Sequence, residues 1–199
     1  MLHHRFAVLL PLVGVFSLSV ALAEDTSAIP DGSAAHEHAI PAKLPPLKPE
    51  DCIKLDSSAP RTVLLNVMAA YGDVNYGMNF NGFAKGNARY VIPKDWTVKI
   101  TFLNRSPVPH SAIVVERPTL KKLQMGDPYF KGASTPNPVQ GTTGPAVTFQ
   151  FVPNEAGDFA LACGFPSHAL GGHWIEFEVS ETATAPSWTA GKAEPYTAK

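Results

Sequence analysis

Between residues 61 and 180, apolar and polar side chains alternate with a period of two. Trp96, Val98, Ile100 and Phe102 interleave with Thr97, Lys99, Thr101 and Leu103, a spacing that puts the first set on one face of a strand and packs that face on a core. The run Arg61–Ala70 is also β-rich, and further strands are predicted at Ala88–Ile92, Ser111–Glu116, Ala146–Val152, Gly157–Cys163 and His173–Ser180. PKD, NRSP and PNEAG supply turn chemistry between them. Many short strands without a long helical period predict an all-β sandwich. The stretch from Arg117 to Pro145 is too long for a hairpin loop and carries Pro118, Pro128, Pro136, Pro138 and Pro145. It is expected to wrap over one face of the sandwich, with a short helix around Thr119–Met125 that leaves Lys121 and Lys122 in solvent.

The alternation is lost on both flanks. Residues 1–23 place Arg5 before an apolar stretch, Phe6–Ala23, that closes on Ala21-Leu22-Ala23. Such a stretch reads as a signal peptide cleaved before Glu24 or, uncleaved, as a membrane anchor of minimal length. Either form makes the rest periplasmic or extracellular. Residues 24–49 are rich in Ala, Pro, Ser, Asp and His and read as a flexible N-terminal linker. The His36-Glu37-His38 pair within it offers only two donors on a mobile segment, too few to hold an ion. Residues 181–199 are expected to be a loose tail, packed at most through Trp188. One domain remains, at residues 50–180.

Charge narrows the function. Sixteen Lys and Arg against 17 Asp and Glu leave a formal charge of -1, with no basic excess to meet a phosphate backbone, so nucleic acid is not an expected partner. The only cysteines, Cys52 and Cys163, exclude a disulfide-dense scaffold and a four-cysteine metal site. Cys52 matches no metal-site pattern and is expected to be free or paired between molecules.

The candidate chemistry lies in Cys163-Gly-Phe-Pro-Ser-His168-Ala-Leu-Gly-Gly-His173-Trp, where a thiol and two imidazoles recur with four residues between each. A loop leaving one strand at Cys163 and entering the next at His173 can turn all three side chains to one point. A strand or a helix with that spacing cannot. His110, in NRSPVPHSAIV, is the obvious further donor. Thiolate and imidazoles select copper or zinc, and two His with one Cys and a weaker fourth ligand is an electron-transfer copper arrangement. His173 reads either as that fourth ligand or as an imidazole turned to solvent. Met78 and Met125 are alternative axial donors or core filler.

These residues resemble the cupredoxins, small type 1 copper proteins. The segment Phe80–Ser111, the STPNPVQG segment (Ser134–Gly141) and the CGFPSHALGGHW loop look most like their sulfocyanin and rusticyanin branch. The resemblance covers about residues 62–180. It implies a Greek-key β-sandwich, one copper ion with His110, Cys163 and His168 as equatorial ligands, and Ser111 tying the two ligand-bearing segments together. That branch carries Met at the axial position, whereas this chain has His173, an exchange also attributed to an oxidase-associated cupredoxin of acidophilic iron oxidisers. Because imidazole takes a proton near neutrality, the exchange is expected to make the site pH-sensitive. The implied function is periplasmic electron transfer by one Cu(I)/Cu(II) centre, not an enzyme, with a c-type cytochrome or terminal oxidase as redox partner. A copper carrier or storage protein is the alternative. A multicopper oxidase needs several His-x-His pairs, and a serine hydrolase needs a Gly-x-Ser-x-Gly elbow with an oriented base; the chain supplies neither set.

Overall fold

The predicted alternation appears as burial in the computed structural model, which describes residues 43–199. The export segment, most of the linker and the His36–His38 pair lie outside the described residues. In β2 (Thr62–Ala69) Val63, Leu65, Val67 and Ala69 are buried, and in β4 (Thr97–Asn104) so are Val98, Ile100 and Phe102. The two strands pair in parallel with Val63 beside Val98, Leu65 beside Ile100 and Val67 beside Phe102, which joins their apolar faces into one surface. β1 (Ile53–Leu55) and β6 (Val147–Phe151) flank them, giving a four-stranded sheet in the order β1-β2-β4-β6.

The second sheet has six strands in the order β10-β9-β3-β8-β7-β5. Its members are β3 (Ala88–Pro93), β5 (Ile113–Glu116), β7 (Gly157–Ala162), β8 (Trp174–Ser180), β9 (Ser187–Ala190) and β10 (Tyr196–Thr197). Tyr90 and Ile92 of β3 align with Phe177 and Val179 of β8, and Leu161 of β7 aligns with Ile175. These side chains meet those of the first sheet in one core. Successive strands from β2 to β7 alternate between sheets. That crossing makes the fold a Greek-key β-sandwich and explains why β2 and β4, separated by β3, lie parallel.

The long connection does wrap one face. A 3-10 turn at Arg117–Lys121 carries Leu120 and, with Met125, covers the outer side of β5 and β7 at Ile113, Val115, Ala160 and Ala162. It is shorter than the helix expected over Thr119–Met125, because Pro118 starts the turn and backbone bonding stops at Lys122. Lys121 and Lys122 are exposed, as expected.

The C-terminal tail is a correction. Residues 187–190 and 196–197 form β9 and β10; β9 pairs antiparallel with β3 so that Trp188 stands beside Tyr90, ring centroids 4.3 Å apart. Trp188 is 1% exposed. Burying a side chain of that size contributes about 2–3 kcal/mol, which together with the pairing of β9 to β3 and β10 to β9 holds an Ala- and Thr-rich segment whose composition alone reads as loose. The domain also begins before residue 50. Leu47 packs on the core, and Tyr71 Oη donates to the Pro45 carbonyl at 2.8 Å. Cys52, in the short helix α1 (Pro49–Cys52), is a free thiol, 1% exposed and pushed up to about 12 chiefly by burial. That burial opposes pairing between molecules in the folded state.

Candidate metal centre

All four sequence-predicted donors come together at one end of the sandwich. Their ligand atoms lie within 4.8 Å of one another. Cys163 directly follows β7 and His173 directly precedes β8, and the Cys163 N–H donates to the His173 carbonyl at 2.9 Å, so the ladder itself sets these two face to face. The loop between them closes on itself, with His173 N–H to the His168 carbonyl and Gly171 N–H to the Ser167 carbonyl, both 2.9 Å. His168 is thereby folded back over the thiol, its Nδ1 3.5 Å from Cys163 Sγ.

His110 arrives on the connection from β4, in the four-stranded sheet, to β5, the edge strand of the six-stranded sheet. Its backbone forms an isolated bridge with Thr142, and the Asn104 amide at the end of β4 donates to the Val108 and Thr142 carbonyls, each at 2.7 Å. His110 Nδ1 comes to 3.9 Å from Cys163 Sγ. Sequence reasoning missed Asn104 as the clamp of this loop. The Asn-x-Ser pattern of NRS, which forms an Asx turn with Ser106 N–H on Asn104 Oδ1 at 2.9 Å, was the available signal.

Ser111 ties the segments as expected. Its hydroxyl donates to the Pro138 carbonyl at 2.7 Å and accepts from Gly164 N–H at 2.8 Å, while its own N–H points at Cys163 Sγ, 3.4 Å away. The fit leaves no space at residue 164, where a Cβ would fall 2.8 Å from Pro138 Cβ and 3.0 Å from its carbonyl oxygen. Ser111→Ala should therefore strand a buried amide and lower the unfolding free energy of the metal-free protein by about 1–3 kcal/mol. Denaturant titration measures this, and an unchanged midpoint would mean the hydroxyl is dispensable.

Burial governs the protonation of the site. His110 is pushed down to about 4, first by desolvation and then by His168; His168 is lowered by desolvation. His173 is lowered well below its ordinary range by burial, then by His110 and His168. Burial raises the Cys163 thiol, opposed in part by the Ser111 N–H. The imidazoles are thus held neutral and ready to ligate, and the proton displaced by a cation is that of the thiol. The acid sensitivity expected of His173 is opposed by its burial, since a fully enclosed imidazole resists protonation.

His173 is not turned to solvent. It is 0% exposed, with Phe80 at 4.3 Å and His110 at 4.8 Å between ring centroids. Neither ring nitrogen has a hydrogen-bond partner, and among the described residues no other buried side-chain nitrogen or oxygen lacks one. The Asn79 backbone lies near enough to favour the protonated ring slightly, but not in hydrogen-bonding geometry. A neutral imidazole left so costs about 1–3 kcal/mol per unpaired group, and a cation at the centre of the donors would satisfy its unprotonated nitrogen. One thiolate and three imidazoles suit copper or zinc. Of the two methionines weighed as alternatives, Met125 lies in the outer apolar cluster and Met78 lies against Gly171 of the ligand loop.

A Greek-key sandwich with one buried thiol and its imidazoles gathered at one end defines a cupredoxin. Residues 50–190 match the family model described as the Sulfocyanin (SoxE) domain, and the chain belongs to the sulfocyanin family. Sulfocyanin of Sulfolobus acidocaldarius is 31% identical over 138 residues, which is 65% of this chain and 69% of that protein. Among solved structures, rusticyanin from Thiobacillus ferrooxidans is 19% identical, with 66% of this chain and 88% of that one covered and a TM-score of 0.44. Auracyanin A, a "blue" copper protein from Chloroflexus aurantiacus, is 20% identical, with 60% and 99% covered and a TM-score of 0.43.

Proposed function

We propose that the chain is an exported electron carrier whose His110, Cys163, His168 and His173 hold one copper ion. The observation that carries this reading is the His173 ring, wholly buried with both nitrogens unpartnered, beside three other donors. Bound there, copper supplies a one-electron couple, Cu(I)/Cu(II), that none of the side chains possesses. The side chains do the rest. His110, Cys163 and His173 are buried, so water is kept from these three donors. Two sheets and the Ser111, Asn104 and Thr142 contacts fix the donor positions before any ion arrives, which keeps rearrangement between oxidation states small.

His168 alone among the four is partly exposed. Its edge is the route for the electron, framed by half-exposed Phe165 and Pro166 and by Leu170, which is 52% exposed. A small uncharged patch suits a weak, short-lived encounter. The partner is a c-type cytochrome or terminal oxidase on the same, periplasmic side of the membrane, consistent with the export segment. Leu170→Ser should remove about 1 kcal/mol of apolar contact and slow transfer ~5-fold with the absorption spectrum unchanged. Stopped-flow mixing with a c-type cytochrome reads the rate, and an undiminished rate would place docking elsewhere.

The reading itself is tested by adding Cu(II) to the purified protein and recording mass, absorption and paramagnetic resonance together. One copper per chain with an intense thiolate band is the expected result. A colourless complex, or preference for zinc, would overturn it.

A further inference from the structure

Large exposed apolar side chains gather at the ligand end of the molecule. Of the six among the described residues, Leu170 lies in the ligand loop, and Val74, Tyr76 and Leu123 lie in loops hydrogen-bonded to it. On one side the Asn75 amide donates to the Gly171 carbonyl at 3.1 Å, and the Met78 thioether packs against Gly171. On the other, Ser167 N–H donates to the Leu123 carbonyl at 2.6 Å. Both flanking loops are therefore tied by hydrogen bonds to the loop that carries His168.

The first of them is built at a conformational cost. Asn75 and Tyr76 have φ of 52° and 57°, the left-handed region that a tyrosine seldom occupies. Each such residue costs on the order of 1–3 kcal/mol, and the outcome is a Tyr76 ring that is 83% exposed and packs on nothing that would repay the strain. Strain that presents an aromatic side chain to solvent beside a redox site points to a contact made outside the chain.

Charge on the same loops identifies that contact. Exposed Lys121 and Lys122 precede Leu123, and exposed Lys85 donates its N–H to the Gly172 carbonyl at 2.8 Å while its side chain runs along Gly172. Arg105 lies just past the end of β4, over the Tyr71 ring. The acids on these loops are Asp73 and Asp127. A chain of net charge -1 thus surrounds its electron portal mainly with cations.

We propose that Tyr76 and Leu123 extend the His168 patch into a docking surface ringed by Lys85, Lys121 and Lys122, whose occupant is a redox protein with an apolar docking face and an acidic rim. The inference rests on the electron-carrier reading and specifies its partner. A second copy would set lysines against lysines, and a bilayer lying on this patch would cover the His168 edge.

The test uses the full copper-loaded chain, reduced, with two ferric c-type cytochromes as probes, one with an acidic and one with a basic haem edge. One electron leaves the protein and converts ferric to ferrous haem, followed by stopped flow at low and high salt. The variants are Lys121→Glu with Lys122→Glu, and Tyr76→Gly, which relieves the positive φ and so does not endanger folding. The charge reversal should slow the acidic-edge reaction ~10-fold at low salt, speed the basic-edge reaction, and lose its effect at high salt. Tyr76→Gly should slow the acidic-edge reaction several-fold at both salts. Spectrum and potential should stay unchanged throughout. Rates that ignore all these changes would overturn the proposal. So would loss, in the variants, of binding to phosphatidylcholine vesicles containing phosphatidylserine, or of a dimer in sedimentation, since these outcomes assign the surface to a membrane or to a second copy. Failure of the electron-carrier reading is distinct, because the wild-type protein would then show no copper-thiolate band at all.

Discussion

Cys163→Ser should bleach the copper-loaded protein and weaken its hold on copper by more than about 100-fold, given that even an outer partner of a metal ligand is worth ~10- to 100-fold. The thiol is 0% exposed and receives the Ser111 N–H, and on losing its proton to a bound copper ion it would contribute a soft anionic sulfur inside an otherwise neutral donor set. A serine hydroxyl fits the space but does not ionise near neutrality and is a harder donor. The near-isosteric change should leave the sandwich folded, as far-ultraviolet circular dichroism can verify. Absorption together with copper content after dialysis decides the matter. An intensely coloured Cys163→Ser protein would exclude the thiolate as a ligand.

His173→Met should make the site bluer and raise its potential. With copper bound, the His173 imidazole would be a harder, stronger donor than a thioether and would favour Cu(II), weakening the bond to sulfur. The native site should accordingly be green or red. Methionine is flexible enough to fill the volume against Phe80, whose ring lies 4.3 Å from that of His173. The expected rise is on the order of 100 mV, a ~50-fold loss of preference for Cu(II) at about 59 mV per tenfold. Spectra and a potential that do not move would show that His173 leaves copper unbound and that its buried nitrogens are satisfied in another way.

The site was more legible in the sequence than the edges of the fold. A thiol and two imidazoles at equal spacing between two predicted strands can converge in few ways, and the ladder between β7 and β8 realises that convergence by pairing Cys163 with His173. His110 was legible because it follows a strand end. The burial of His173 was not, since the choice between ligand and solvent depends on Phe80 and His110, which arrive from distant parts of the chain. Composition misled at the C-terminus for a related reason. Residues 187–197 are poor in apolar side chains, but Trp188 and the free edge of β3 supply a long-range partner that local pattern does not register. β1 and β10, of three and two residues, are too short for a period of two to be seen. The left-handed Asn75 and Tyr76 carry no glycine signal that would announce their conformation.

Electron transfer and mere copper storage differ in one observable. A redox titration of the copper-loaded protein, followed by absorption and paramagnetic resonance, should show a single one-electron step. It should be fully reversible over repeated cycles, with one copper retained per chain and the same oxidised spectrum on every return. That result follows from donors already fixed by the sandwich and by Ser111 and Asn104. Loss of copper on reduction, or an oxidised spectrum that changes from cycle to cycle, would contradict the electron-carrier reading and favour a protein that only binds the ion.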